Sequence, residues 1–277
     1  MSKKKGYPSD LTDAQWEILK VLFPKRQGRG RPPKTELRRV LDAIFYIARS
    51  GCQWRMLPAD FPNYNTVFYY FSKWQRDGTL EKVHDALREM VRQKERPTPR
   101  HTASVDSQST DSHGAHEARA FDGGKRLDGR KRHVVVDSLG LLLAVVITAG
   151  DVSDAKGAID ALGRLEAALF PEVTTIYGDK AYAKGGFPEF IASWKADCSL
   201  HTVSRPEGAQ GYVQLPIRWV VERTFAWLTK NRRLCRSYEH TCRSEVAFIH
   251  VAMICLMTRR LAKPAKSYTF GYRNKAA

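Results

Sequence analysis

The first hundred residues have apolar positions at helical spacing. Between residues 35 and 49 they recur three and four positions apart, and Gly51 is placed to end that helix. Thr12 and Gln15 have the spacing of a capping box at the start of an earlier helix. The pattern predicts four helices, at about 11–23, 35–49, 66–78 and 80–93.

A change of pattern follows the charged, proline-bearing stretch at 93–101. Short β-rich runs now alternate with helical segments, and "RHVVVDSLGLLLAVVITAG" predicts two strands joined by a turn at Ser138–Gly140. Three strands, a helix, a strand, a helix, a strand and two closing helices describe a mixed α/β domain. We therefore predict a small all-α domain over 1–95, an α/β domain over 96–265, and a basic tail over 266–277.

The charge of the chain points to a polyanionic partner. Lys and Arg number 46 against 29 Asp and Glu, which gives a net charge of +17 and a sequence pI near 9.8. Nucleic acid is the usual partner of so basic a protein. A merely cationic enzyme is the alternative that the charge alone leaves open.

Cysteine spacing and hydropathy exclude several protein classes. The five cysteines include no CxxC pair, which indicates reduced thiols, and Cys235, His240 and Cys242 lack a second ligand pair at zinc-site spacing. The basic N-terminus has no apolar segment of a signal peptide, and the longest apolar run, at 246–257, is too short to span a bilayer. We expect an intracellular protein.

Three acidic residues lie in or at the end of apolar segments, where carboxylates are uncommon. Asp106 is inside a predicted strand, Asp179 ends another, and Glu222 is in the middle of an apolar helix. A helical projection places Glu222 about 140° from Ile217, outside the apolar stripe. Each aspartate alone is explained by a strand end or turn, and Glu222 by a surface pair with Arg218 worth about 0.2–0.5 kcal/mol. Together, in the order strand, strand, helix, the three acids fit a site that holds two metal ions for phosphoryl transfer.

The sequence around these acids resembles a known family. "SVDSQST", "YGDKAY" and "RWVVERTFAWLTKNRRL" are similar, in that order, to the three acidic motifs of bacterial insertion-sequence transposases of the DDE superfamily. The best resemblance is to the family named after the fifth insertion sequence, whose members also begin with segments like "LTDAQWEILKVLFP" and "GRPPKTELRRVLDAIFYIARSGCQWRMLP". The resemblance covers about residues 9–262.

This resemblance implies an RNase H-like catalytic domain behind a helix-turn-helix-like domain. It implies that Asp106, Asp179 and Glu222 bind two Mg²⁺ (or Mn²⁺) ions and form the catalytic triad. Arg218 matches the arginine of the signature around the third acid. Thr229 stands where a sister family has lysine, and Lys230 or Arg232 is then expected to contact the phosphate.

Further residues are candidates for contacts with DNA. Arg29 and Arg31 lie in a loop suited to contact with the DNA backbone or the minor groove, and a solvated loop is the alternative. Segment 63–78 resembles the second helix of a helix-turn-helix unit, and 123–133 is a basic stretch close to the proposed site. The remaining candidates are Asn65, Thr66, Tyr69, Lys73, Lys125, Arg130 and Lys180.

The resemblance implies a cytoplasmic DNA transposase, associated with the bacterial nucleoid through its DNA. It would bind the inverted-repeat ends of its element, cleave them and transfer the 3′-hydroxyl ends to double-stranded target DNA, as a homodimer or larger assembly. Two alternatives stay open: an RNase H-like nuclease without strand transfer, and a catalytically silent, transposase-derived DNA-binding protein.

Overall fold

The computed structural model describes residues 6–24, 35–95, 101–112, 117–167, 170–202 and 218–263. The predicted contacts of Arg29 and Arg31 and the basic tail at 266–277 lie outside these ranges. Of Arg218 only the backbone is described.

Four helices form the N-terminal part, as the spacing of apolar residues predicts. Thr12 caps the first helix through the expected capping box with Gln15, and Gly51 ends the second in the left-handed conformation at φ 75°. Gly78, also left-handed, separates the third helix from the fourth. The helices are α1 (Asp13–Leu19), α2 (Leu37–Ser50), α3 (Tyr64–Arg76) and α4 (Thr79–Lys94).

A mixed six-stranded sheet follows. The strands are β1 (Thr102–Asp111), β2 (Ala120–Asp122), β3 (Leu127–Asp137), β4 (Leu142–Ala149), β5 (Thr175–Gly178) and β6 (Ser199–Thr202). β3 pairs antiparallel with β1, β2 and β4, whereas β5 joins β1 in parallel and β6 joins β5 in parallel. Helices α5 (Asp154–Leu162) and α6 (Phe187–Trp194) lie in the crossovers that the parallel pairs require. The predicted α/β, RNase H-like architecture is confirmed, and only the short strand β2 was not expected.

Alternating side chains of β3 enter two separate cores, one of which also includes residues of β1. Val105 and Val135 face the core formed with α5 and α6. Val134 and Val136 face the opposite core, formed with the N-terminal helices and the two closing helices, α7 (Arg218–Thr229) and α8 (Cys242–Ala262). The sheet is therefore covered on both faces, as its apolar strands require.

Helix α8 connects the N-terminal helices to the sheet. It packs against all four N-terminal helices and against β4, and the ring of Phe248 lies 4.6 Å from that of Phe71. Glu245, 1% exposed, accepts hydrogen bonds from Arg130 and Arg132 of β3. Both arginines are fully buried, so this ion cluster fixes the start of α8 on the sheet.

The described part of the chain contains no helix with both the length and the apolar character needed to cross a bilayer. All five cysteines lie within the described ranges and are free thiols.

Candidate active site

Asp106 and Asp179 lie on neighbouring strands at the same level of the sheet. The last residues paired between the parallel strands β1 and β5 are Ser104 and Tyr177, and each aspartate follows two residues later, Asp106 within β1 and Asp179 directly after β5. Because neighbouring strands are about 4.8 Å apart, the sheet brings the two carboxylates together from positions 73 residues apart in the chain.

Backbone N–H groups orient both carboxylates. Asp106 Oδ1 accepts a hydrogen bond from the Ser107 amide at 2.7 Å, and Asp179 Oδ1 accepts one from the Ala181 amide at 2.9 Å. The second bond arises because Asp179 caps a short 3₁₀ helix over 180–183. Both side chains are half-buried, so they are held by the protein and still reach solvent.

Glu222 is carried by a helix on the same face of the sheet. Val134, which lies directly opposite Asp106, belongs to the core that α7 and α8 cover. Glu222 itself is exposed, as the helical projection predicts, while Val221 and Phe225 beside it are buried. It lies on the flank of α7 away from Arg223 and Thr224, which face the β3–β4 turn.

The opposite flank of α7 is held tightly to that turn. Thr224 Oγ1 donates to the Gly140 carbonyl at 2.8 Å, and an Arg223 N–H donates to the Leu139 carbonyl at 2.9 Å. The Arg223 guanidinium also lies over Trp219 and Trp227, 4.3 and 4.8 Å from the ring centroids. These contacts fix the position of α7 and therefore the position of the backbone that carries Glu222.

The two aspartates fit a hard divalent cation, but the three acids are not assembled around one point. Paired carboxylates on adjacent strands are suitable oxygen ligands for Mg²⁺ or Mn²⁺. Within the described ranges, however, no three His, Cys, Asp or Glu side chains stand close enough together to hold a metal ion.

A cluster of polar residues lies on the opposite face of the sheet from Asp106, the face that α5 covers. Ser107 donates to Asp154 at 2.8 Å, and Lys131 lies 3.4 Å from both Asp154 and Asp122. Tyr182 is buried beside it, and burial raises the pKa of its phenol, with a smaller contribution from the negative charges of Asp106, Asp154 and Asp179. Sequence reasoning missed this group because its members come from four separate elements.

Most of the predicted DNA contacts within the described ranges are exposed to solvent. Lys180 follows Asp179 directly, and Lys230 and Arg232 follow α7. Thr66 is half-buried on α3. The exposed side chains are those of Lys125, Lys180, Lys230, Arg232, Asn65, Tyr69 and Lys73. Their contacts with DNA stay predictions.

Arg130 is wrong as a predicted DNA contact. Its guanidinium has no exposed surface and donates to the Glu245 carboxylate, the Ser237 hydroxyl and the carbonyl oxygens of Glu117, Glu239 and His240. With its donors already used inside the protein, Arg130 stabilises the junction of β3 and α8 instead.

Two families match the chain. Residues 97–258, more than half of it, match the family described as "Transposase DDE domain". Residues 11–84 match the family described as "Putative transposase of IS4/5 family". The two matches follow one another along the sequence and meet near the predicted boundary at residue 95.

Two curated proteins are similar over part of their length. A putative transposase for insertion sequence element IS402 from Burkholderia cepacia is 30% identical over 145 residues, which are 48% of this chain and 66% of that protein. The uncharacterized protein y4sN from Sinorhizobium fredii is 36% identical over 73 residues, 26% of this chain and 58% of that protein. The chain thus spans less than two thirds of the length of either relative.

Among solved structures, the catalytic core domain of HTLV-2 integrase, determined in complex with magnesium as a trimer, is 19% identical to this chain. The match covers 46% of this chain and 66% of that chain, with a TM-score of 0.27.

Proposed function

This chain belongs to the DDE transposase family, and we propose that it cuts DNA at the ends of an insertion element and joins the freed 3′-hydroxyls to target DNA. The placement of Asp106 beside Asp179 is the observation that best supports the proposal. Both reactions are in-line displacements at phosphorus, which a single carboxylate site can serve in turn.

Asp106 and Asp179 would hold a divalent cation, Mg²⁺ or Mn²⁺, with two ions expected from the resemblance. The bound ions would polarise the scissile phosphate and stabilise the leaving oxygen. The amides of Ser107 and Ala181 orient the two carboxylates before substrate arrives, so that no strand has to rearrange.

Glu222 is the third acid of the proposed site. It is exposed on the same face of the sheet, on a helix held by Thr224 and Arg223, and the proposal requires it to join the two aspartates when DNA is bound. Lys180, exposed next to Asp179, would bind a phosphate of the DNA backbone through its positive charge. Two element ends need two sites, so we propose that the active form on DNA is at least a dimer.

Neutralising each acid tests the proposal. We expect Asp106→Asn, Asp179→Asn and Glu222→Gln each to lower end cleavage and strand transfer by about 10³-fold or more, because the lost metal contact stabilises the transition state by several kcal/mol. Binding to a duplex with the element end should remain. Cleavage and joining of labelled ends, together with a binding measurement on the same variants, provide the readouts.

Glu189→Gln is the matched control, since Glu189 is an exposed acid on α6. It should leave both reactions unchanged. Full joining activity in any of the three variants would contradict the role of that acid. Pre-cleaved ends offered with a supercoiled target separate the alternatives: a nuclease does not insert them, and a silent DNA-binding protein neither cuts nor inserts.

A further inference from the structure

A groove of about 770 Å³ lies between α3 and the start of α8. Asn65, Phe68, Tyr69 and Arg76 line it from α3, and Arg243 lines it from the first turn of α8. It therefore combines residues of the N-terminal helices with residues of the DDE domain, and it is separate from the aspartate pair.

The α3 side of the groove is part of an exposed stripe with helical spacing. Asn65, Phe68, Tyr69, Lys73 and Arg76 follow one another at intervals of three, one, four and three residues, so they share one face. Phe68 is 47% exposed and Tyr69 57%, although the fold buries the opposite face of the same helix. Two neighbouring aromatic rings in water contribute little to folding and are typical of a binding surface.

Positive charge accompanies these rings. Within the described ranges, no ion pair involves Lys73, Arg76 or Arg243, and all three side chains are exposed. The nearby carboxylate of Glu117 already accepts a hydrogen bond from the Cys242 amide, which caps α8. Unpaired cations around exposed aromatic rings complement a polyanion that also presents apolar groups, and duplex DNA has both, in its phosphates and in the thymine methyl groups of the major groove.

The two walls of the groove are fixed to each other. Ser244 Oγ on α8 donates to Gln75 Oε1 on α3 at 3.3 Å. Below them, the rings of Phe71 and Phe248 pack at 4.6 Å, and Trp54 supports Phe68 edge-on at 5.1 Å. A ligand would meet one preformed surface rather than two independent ones, which reduces the entropy lost on binding.

We propose that the end of the element, as duplex DNA, binds across this groove and is recognised by α3 and α8 together. This inference rests on the proposed function and adds residues to it. Phe68 and Tyr69 contact base edges in the major groove, where apolar side chains read thymine methyl groups. Arg76 and Arg243 bind phosphates on either side and fix the register. Recognition of the end is thus shared between the N-terminal helices and the DDE domain.

Binding measurements on the full-length protein test this division of roles. The probe is a duplex carrying the sequence that flanks the coding region, compared with a scrambled duplex of equal length and composition, over a series of salt concentrations. We expect Phe68→Ala to weaken binding to the flanking duplex by roughly 5- to 150-fold and to change binding to the scrambled one little. Arg243→Gln should weaken binding to both and lower the slope of log K against log salt by about 0.9.

Two variants outside the groove serve as controls. Val21→Ala removes an exposed apolar side chain, and Arg164→Gln removes an exposed cation, so both should bind like the wild type. Circular dichroism of every variant establishes that the fold is intact.

The possible outcomes are distinct. Wild-type preference for the flanking duplex, with both groove variants binding equally well, would overturn the shared surface and leave the proposed function standing. A change of oligomeric state in Phe68→Ala with unchanged DNA binding would instead make the groove an interface between copies, which also overturns the inference. A wild type without any preference for the flanking duplex would contradict the proposed function itself.

Discussion

Two histidines face each other in the interior, where α4 packs against α8. The rings of His84 and His250 are 5.1 Å apart. His84 is 1% exposed; its Nδ1 lies 3.0 Å from Asp85 and its Nε2 has no hydrogen-bond partner in the described structure. Burial lowers the pKa of both imidazoles, that of His250 to about 3. Both rings are therefore neutral in the folded protein at neutral pH.

This pair makes stability dependent on pH. Below the ordinary histidine pKa of about 6.5 the unfolded chain takes up protons that the folded chain does not, so the free energy of unfolding falls as pH decreases from about 6.5 towards the folded values. Each such group contributes a slope of about 1.4 kcal/mol per pH unit. We expect urea unfolding between about pH 7 and pH 5 to show this decline, and His250→Gln to make it shallower.

His101→Gln is the control for this experiment, because His101 is exposed. It should leave the pH dependence as it is in the wild type. An equally steep decline in His250→Gln would show that other groups cause it.

Single residues show where sequence reasoning succeeds and where it stops. Asp106 and Asp179 are recognisable because a carboxylate is unusual in or at the end of an apolar strand, and parallel pairing then brings them together. The residues next to Arg130 in the sequence do not distinguish it from an exposed arginine. Its partner Glu245 is 115 residues away, so only the tertiary structure distinguishes an internal ion cluster from a DNA contact.

At the scale of elements, α5 packs on β3 through a glycine. A Cβ on Gly157 would come within 2.2–2.3 Å of the His133 imidazole, which is fully buried in β3. The helix can approach the strand this closely because residue 157 has no side chain. The His133 ring itself is fixed by a hydrogen-bonding contact of 2.9 Å between its Nε2 and Thr148 Oγ1.

We expect Gly157→Ala to destabilise the protein although alanine favours helix formation. Overpacking costs about 1–3 kcal/mol, which exceeds the gain of up to about 1 kcal/mol in helix propensity. Chemical denaturation gives the change in the free energy of unfolding. A double-mutant cycle with His133→Ala provides the control, because the clash is removed when the ring is absent and the two effects should then not add. Strictly additive effects of the two substitutions would show that Gly157→Ala strains a contact other than the one with His133.

The helices also show why some element boundaries were predicted and others were not. α2 ends at Gly51 as expected, because the glycine adopts the left-handed conformation that ends a helix. α5 ends at Leu162, with Gly163 as its cap in the right-handed rather than the left-handed conformation. β2 was missed because three residues of a strand give too short a pattern to detect. On α3 the exposed rings of Phe68 and Tyr69 lie beside the half-buried Tyr70 and the buried Phe71, and aromatic content alone does not separate the two faces.

At the scale of the whole molecule, the N-terminal helices and one face of the sheet share a single core. The apolar residues of α1 to α4, α7 and α8 belong to one cluster that also includes Val134 and Val136 of β3. Arg92 of α4 forms a buried ion pair with Asp137 at the end of β3. The sequence change at 93–101 predicts two domains, but the packing joins both segments through α8.

This shared core predicts that residues 96–277 do not fold stably alone. Removing α1 to α4 exposes the face of α8 around Phe248, and each large apolar side chain returned to water costs about 1.5–3 kcal/mol. Four such residues equal most of the 5–15 kcal/mol by which a typical protein is stable. We expect the fragment to lose the cooperative thermal transition of the full chain. Adding the separate 1–95 segment should restore the transition, because the same contacts then form between two chains. A fragment 96–277 that melts cooperatively at the temperature of the full chain would contradict this prediction, because it would show that α8 is stable without α1 to α4.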